Sequence, residues 1–229
     1  AGTAAASGGA GALNVEDVFS TYLYEGNGSS QAIENDIKLS DAPVDNVYYH
    51  SSSTSVTSNK SPVGDFTVSS GGQVSLDSTV TKYASNSYAF DGTDFGYLEL
   101  NRPALSSSKP FCFETWVYFN NVGTSGNMAM LASQYQSSGN GRMLFGGQDG
   151  DIVVRLNGGT VYLSTTTTVT ASTWHHVAWS FDGTTHRLFF NGSLEDSSTS
   201  LLDLYTGVNT TFGGNPSSLL SGYNLNGNM

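Results

Sequence analysis

The chain has 229 residues, of which 38% are hydrophobic and only 12% charged. Nineteen acidic against eight basic residues leave a formal charge of −11, which argues against nucleic acid or an anionic membrane surface, both of which need Lys and Arg. One cysteine, Cys112, precludes an internal disulfide framework and a zinc cluster, while twelve Tyr and twelve Phe supply enough apolar surface for a core.

Residues 1–12 are Gly, Ala, Ser and Thr, a flexible lead without the basic and apolar regions of a signal peptide. In 13–60, Val18, Ser20, Tyr22 and Tyr24 alternate with Phe19, Thr21 and Leu23, a strand pattern stopped by Gly26-Asn27-Gly28. "QAIENDIKLS" reads as a second strand folding back, and a pair this short needs a neighbour or another chain to pack on. The expectation for 13–60 is therefore a β-rich anchoring or oligomerisation segment. A turn-rich stretch surrounds a boundary near Lys60. From 61 to 229, short apolar runs such as "FCFETWVYF", "DIVVRL" and "WHHVAWSF" alternate with Gly, Asn and Asp turns. No helical period and no run long enough for a membrane helix interrupts them. The predicted class is all-β: an antiparallel sandwich of jelly-roll type preceded by the short β-rich segment.

The segment 172–192, "STWHHVAWSFDGTTHRLFFNG", carries two adjacent histidines and so raises the question of a metal or catalytic site. Written as strand, turn, strand, it puts His175, Val177, Trp179 and Phe181 on one face and Trp174, His176, Ala178 and Ser180 on the other. "DGTT" is the turn; the return strand puts His186, Leu188 and Phe190 together, with Arg187 and Phe189 opposite, and "NG" makes a second turn. Adjacent histidines on opposite faces cannot share one metal, and no HExxH spacing is present. They read as strand histidines. Cys112, in an apolar run, reads as a buried small hydrophobe.

This hairpin resembles the central hairpin of the laminin-G/pentraxin group of concanavalin A-like jelly rolls. "SYAFDGTDFGYLELNRP" is similar to the strand pair before the group's core tryptophan, and "FCFETWVYF" to its core strand, with Trp116 as that tryptophan. The resemblance covers roughly residues 62–229. It implies a core built on Trp116, Trp174, Val177, Trp179, Phe181, Leu188 and Phe190. The group closes with a further strand after its final glycine. Here the sequence stops at "LNGNM", so the last strand is expected to be missing or only begun. The stretch "VEDVFSTYLYEGNGSSQAI" resembles the start of structural and fibre proteins of marine tailed phages.

The fold also hosts glycosidases, which need paired carboxylates. Glu34-Asn35-Asp36 lacks the second Glu of the expected strand motif, and Glu99 and Glu114 sit singly, so the chain reads as non-enzymatic with no catalytic residue. Calcium is the only cofactor in view. The pentraxin-type loops offer Asn140 and Asn215 where carboxylates are expected. Asp91 and Asp94 in "FDGTDFG" and Asp149 and Asp151 in "GGQDGDIV" remain as oxygen donors, and they are equally ordinary turn residues. For a sugar ligand the candidates are Gln134, Tyr135, Gln136 and Asn140 in "SQYQSSGN". The leading expectation is a tailed-phage virion protein (fibre, appendage or capsid surface), assembled in the host cytoplasm. It would be homo-oligomeric, in contact with other virion subunits, and display the jelly roll to host-surface glycans. The alternative is a secreted or cell-surface bacterial glycan-binding module.

Overall fold

The computed structural model describes residues 68–72, 74–82, 86–94, 96–100, 110–124, 126–134, 143–156, 160–200, 208–215 and 222–229. All lie within the unit Val44–Met229. The 1–12 lead and the 13–60 segment fall outside the described residues, as do Tyr135, Gln136 and Asn140.

Among the described residues the chain forms strands and turns only. In order these are β1 (Val68–Gly71), β2 (Val74–Asp77), β3 (Ser87–Asp91), β4 (Tyr97–Leu100), β5 (Phe111–Asn121), β6 (Gly123–Thr124), β7 (Asn127–Gln134) and β8 (Met143–Gln148). There follow β9 (Asp151–Leu156), β10 (Thr160–Ser164), β11 (Trp174–Phe181), β12 (His186–Phe190), β13 (Ser193–Ser198), β14 (Thr210–Phe212) and β15 (Asn226–Asn228). One sheet runs β1-β4-β14-β7-β8-β9-β10, with β6 beside β7; the other runs β13-β12-β11-β5-β15-β3-β2. Every pairing is antiparallel. The molecule is the all-β two-sheet sandwich the sequence predicts.

Strand alternation builds the core between the sheets. His175, Val177, Trp179 and Phe181 of β11, and His186, Leu188 and Phe190 of β12, are buried on one face as the pattern requires. Val117 and Phe119 join them from β5, and Leu131, Phe145, Ile152 and Val154 from the opposite sheet. Trp179 sits fully buried at the centre, edge-on to Phe111 at 4.9 Å and 5.8 Å from Phe145 across the sandwich. Two expected core residues are not there. Trp116 and Trp174 are only half-buried and face outward, because Val117 and Phe119 point inward and Trp116 precedes Val117 on the same strand. The core tryptophan is Trp179.

The turns follow their residues. Asp149-Gly150 joins β8 to β9 with φ of 54° and 93°, and Asn191-Gly192 joins β12 to β13 with 49° and 83°, both the left-handed pairs of a type I′ turn. Asp182 accepts from the backbone N–H of Thr184 and Thr185 at 2.8 Å each, closing "DGTT". The last described residues, Asn226–Asn228, form a short strand between β5 and β3, and Met229 exchanges both backbone hydrogen bonds with Tyr88. Gly227 passes so close to β5 that a Cβ there would lie 2.1 Å from the Tyr118 carbonyl oxygen.

His186 is fully buried in an aromatic box. It stacks on Phe181 at 4.1 Å and 11°, and faces Tyr162, Trp179 and Phe111 at 5.7, 5.8 and 6.0 Å. Among the described residues neither ring nitrogen has a hydrogen-bond partner. Burial therefore depresses its pKa to about 4 from an ordinary 6.5, with Asp182 offsetting part of the effect. Between those values the unfolded chain binds the proton and the folded chain does not. Stability is thus retained above pH 6.5 and falls as the pH drops toward 4, by roughly 1 kcal/mol per pH unit. The hydrogen-bonded carboxylates Asp77 and Glu195 add their own loss only below their ordinary values of 3.8 and 4.5.

Two expectations follow. Trp179→Ala lowers unfolding free energy by about 3–5 kcal/mol, whereas Trp116→Ala lowers it by about 1 kcal/mol or less, read by urea denaturation. Equal losses would return Trp116 to the core. His186→Phe abolishes the decline in stability between pH 7 and pH 5 while holding stability at pH 7; an unchanged slope would assign that decline to another group.

Candidate functional site

The outer face of the seven-stranded sheet collects the chemistry that the core excludes. On β5 and β11 the opposed pairs Tyr118–Trp174, Trp116–His176 and Glu114–Ala178 all stand on this side. The rings of Tyr118 and Trp174 lie 5.7 Å apart at 59°, and those of Trp116 and His176 lie 5.3 Å apart at 53°. Lys82 Nζ stands 4.3 Å from the Trp116 ring centroid, a cation–π contact. His176 Nε2 and Glu114 Oε1 pair at 2.6 Å, each side chain 18% exposed.

The same line continues across the sheet. Tyr118 is opposite Asn228 of β15, Asn228 opposite Ala89 of β3, and Ala89 opposite Ser75 of β2. From Trp174 to Ser75 this is four strand spacings, roughly 19 Å. Beyond the aromatics it drops into a depression of about 420 Å³, whose polar lining is Ser75, Asp77, Asp91, Asn120, Asn226 and Asn228. Asn228 is buried at its floor, donating to Asp77 Oδ2 at 3.1 Å and to Ser87 Oγ at 2.8 Å. Asn120 Nδ2 donates to Asn226 Oδ1 at 2.9 Å. The Thr79 hydroxyl and backbone N–H both donate to Asp77 Oδ1, at 2.6 and 2.7 Å, and hold that carboxyl below its usual value. Half-exposed rings beside convergent amides and carboxylates form a surface that stacks on flat apolar faces and bonds polar edges.

Of the described residues expected to hold ligand or metal, Asp91 alone lines the depression. Gln134 is fully buried in β7 and accepts from Thr210 Oγ1 at 3.2 Å, which removes it from an exposed sugar site. Asn215 is likewise buried, donating to Ser133 Oγ at 2.7 Å. Asp91 Oδ1 accepts the Thr93 N–H at 2.9 Å, and Asp94 Oδ1 accepts from Gly222 N–H and Asn224 Nδ2, both at 2.9 Å. Asp149 occupies the turn position described above and accepts from Gln148 Nε2 at 3.1 Å; Asp151 faces Ser164 Oγ at 3.5 Å. Among the described residues no three His, Cys, Asp or Glu side chains gather as a metal set. Glu99 and Glu114 belong to different sheets, on β4 and β5.

The histidines divide as the alternation requires. His175 Nε2–H donates to the Thr170 carbonyl at 2.9 Å, while its Nδ1 lies 3.2 Å from Asn191 Nδ2, which fixes a neutral tautomer packed on Phe190. His176 faces outward. Burial pushes the Cys112 thiol up to about 12, with Glu114 adding to it, so the sulfur stays protonated and is no nucleophile. The sequence reading missed the face formed by Tyr118, Trp174, Asn226 and Asn228. The alternation that placed Trp174 opposite Val177 was visible; the pairing of β15 beside β5 was not.

A family model described as the concanavalin A-like lectin/glucanases superfamily, of laminin G type, matches residues 91–229. The chain belongs to this family. No curated protein sequence matches it. Among solved structures it is similar to domain 4 of AbnA, an extracellular arabinanase from Geobacillus stearothermophilus, in complex with arabinotriose. The identity is 17%, the match covers 73% of this chain and 81% of that one, and the TM-score is 0.56. It is also similar to the binding domain of Paraclostridial Mosquitocidal Protein 1, at 14% identity, 68% of this chain, 41% of that one and a TM-score of 0.51. The botulinum neurotoxin serotype D binding domain aligns at 15% identity, 68% and 40% coverage and a TM-score of 0.50. The chain thus spans about two-fifths of each toxin domain. These likenesses are of fold.

Asp149→Asn tests the turn assignment. Asn suits the left-handed position as well as Asp, so denaturant stability stays within about 0.5 kcal/mol, and millimolar calcium leaves the Tm of both proteins unchanged. A calcium-dependent rise in Tm that the variant loses would assign Asp149 to a metal.

Proposed function

We propose that the chain is a non-catalytic glycan-binding module that holds a saccharide on the outer face of its seven-stranded sheet. The observation that carries this reading is the cross-sheet line Trp174–Tyr118–Asn228 running into the amide-lined depression. Sugar rings have apolar C–H faces that stack on aromatic planes, and vicinal hydroxyls that bond side-chain amides and carboxylates. The face offers both within one line of strands. A domain of similar fold is described with arabinotriose, and two others are named as binding domains of toxins. Binding needs no proton transfer, and Glu114, the carboxylate nearest the aromatics, is engaged by His176.

The setting we favour is a secreted or cell-surface protein, as for the extracellular arabinanase whose domain shares the fold. The virion setting and its homo-oligomer rest on the sequence of 13–60, outside the described residues, and none of the proteins matched above is a phage protein. In either setting several copies would raise weak single-site binding through avidity.

Titration calorimetry and an oligosaccharide array test the reading. The full chain binds at least one saccharide without releasing reducing ends. Tyr118→Ala and Trp174→Ala each weaken that binding ten-fold or more while leaving the Tm within a few degrees. Binding untouched by both substitutions would move the site off this face.

A further inference from the structure

The depression on this face is lined by carboxylates and amides. The carboxylates of the face are Asp77 and Asp91 in the depression and Glu114 beside the aromatics. Asp77 is ionised at neutral pH, since the Thr79 hydroxyl and N–H lower its pKa. Among the described residues none of the basic groups on this side lines the depression: Lys82 stands over Trp116, His176 pairs with Glu114, and Arg187 with Asp182 at 2.6 Å. The hydrogen-bonding signs point the same way. Asn228 turns its NH₂ to Asp77 and Ser87, which leaves its carbonyl as an acceptor at the floor. The Asn120–Asn226 amide pair supplies N–H donors at the rim, which take either a hydroxyl oxygen or an anion as partner, so the discrimination falls to the carboxylates and the Asn228 carbonyl. Hydroxyl groups donate to carboxylates and carbonyls; a ligand carboxylate or sulfate can only accept. It would meet Asp77 and Asp91 without a basic partner, in a chain of formal charge −11.

We propose that this face takes uncharged saccharide chains and rejects their sialylated, sulfated or uronate counterparts, with Asp77, Asp91 and Asn228 setting the choice. The inference rests on the glycan-binding reading and adds the ligand class to it. A chain lying along the Trp174–Tyr118–Asn228 line would stack on the aromatics and place its hydroxyls in the depression.

The experiment is an array of neutral oligosaccharides, each printed beside its sialylated, sulfated or uronate derivative, read at low salt and at 0.5 M NaCl (roughly a 4 Å screening length). The expected result is at least ten-fold weaker binding of the anionic member, a ratio that narrows in high salt and in Asp91→Asn. Anionic members binding as well as the neutral ones, and still lost in Trp174→Ala, would overturn the charge selection and leave the glycan face standing. Absence of any saccharide binding, or binding indifferent to Trp174→Ala, would overturn the face and this inference with it.

Discussion

The register of β5 against β11 is the constraint on which the remaining structure depends. Eight opposed pairs run from Trp174–Tyr118 to Phe181–Phe111 at the middle of the seven-stranded sheet. This register puts Val117 opposite His175, Thr115 opposite Val177 and Phe113 opposite Trp179, with Val117, Val177 and Trp179 all turned into the core. A slip of β11 by one residue would turn its side chains over, exposing Trp179 and burying His176 away from Glu114. Core and outer face are therefore one decision, made by the same pairings. The buried neutral His186 depends on it too, because its ring stacks on Phe181 at the end of β11.

The hairpin 174–190 was legible in its strands and turns, with Trp174 alone given the wrong environment. Its alternation, the "DGTT" and "NG" turns, and the opposed directions of His175 and His176 all follow from period two and from left-handed Gly and Asn positions. The all-β class followed from the same pattern repeated along 61–229. Asp149 was legible as a turn residue or a calcium donor, and the structure places it in the hairpin turn, with φ of 54°. What could not be read was non-local. That Asn228 lies beside Tyr118 requires the chain's last residues to enter between β5 and β3, 105 and more positions away from their partners, and no local period encodes that.

The misplacement of Trp116 and Trp174 has a physical content. Both were assigned to the core through the resemblance to the laminin-G/pentraxin hairpin and core strand. Yet "FCFETWVYF" has apolar residues on both faces, so its composition does not say which face is inside. The neighbours decide: Val117 and Phe119 meet Ile152 and Val154 of the other sheet in one cluster, and Trp116 is left outside with His176 and Lys82.

Leaving two tryptophans and a tyrosine half-exposed forgoes several kcal/mol of burial that an inward register would gain, on the order of 25 cal/mol per Å² of apolar surface. A scaffold selected for stability alone has no use for that arrangement, and departures from local rules gather where function is exerted. Here the departure is not scattered. Trp116 and Trp174 sit on adjacent strands, Tyr118 joins them, and the amide-lined depression begins one strand further on. Isolated exposed aromatics need no explanation; three on one face of two adjacent strands, with Tyr118 and Trp174 in ring contact and the line ending on a buried asparagine that is held by a carboxylate, constitute a surface with a direction. That directionality supports an extended, hydroxyl-rich ligand lying across the strands in preference to a compact one held in a loop.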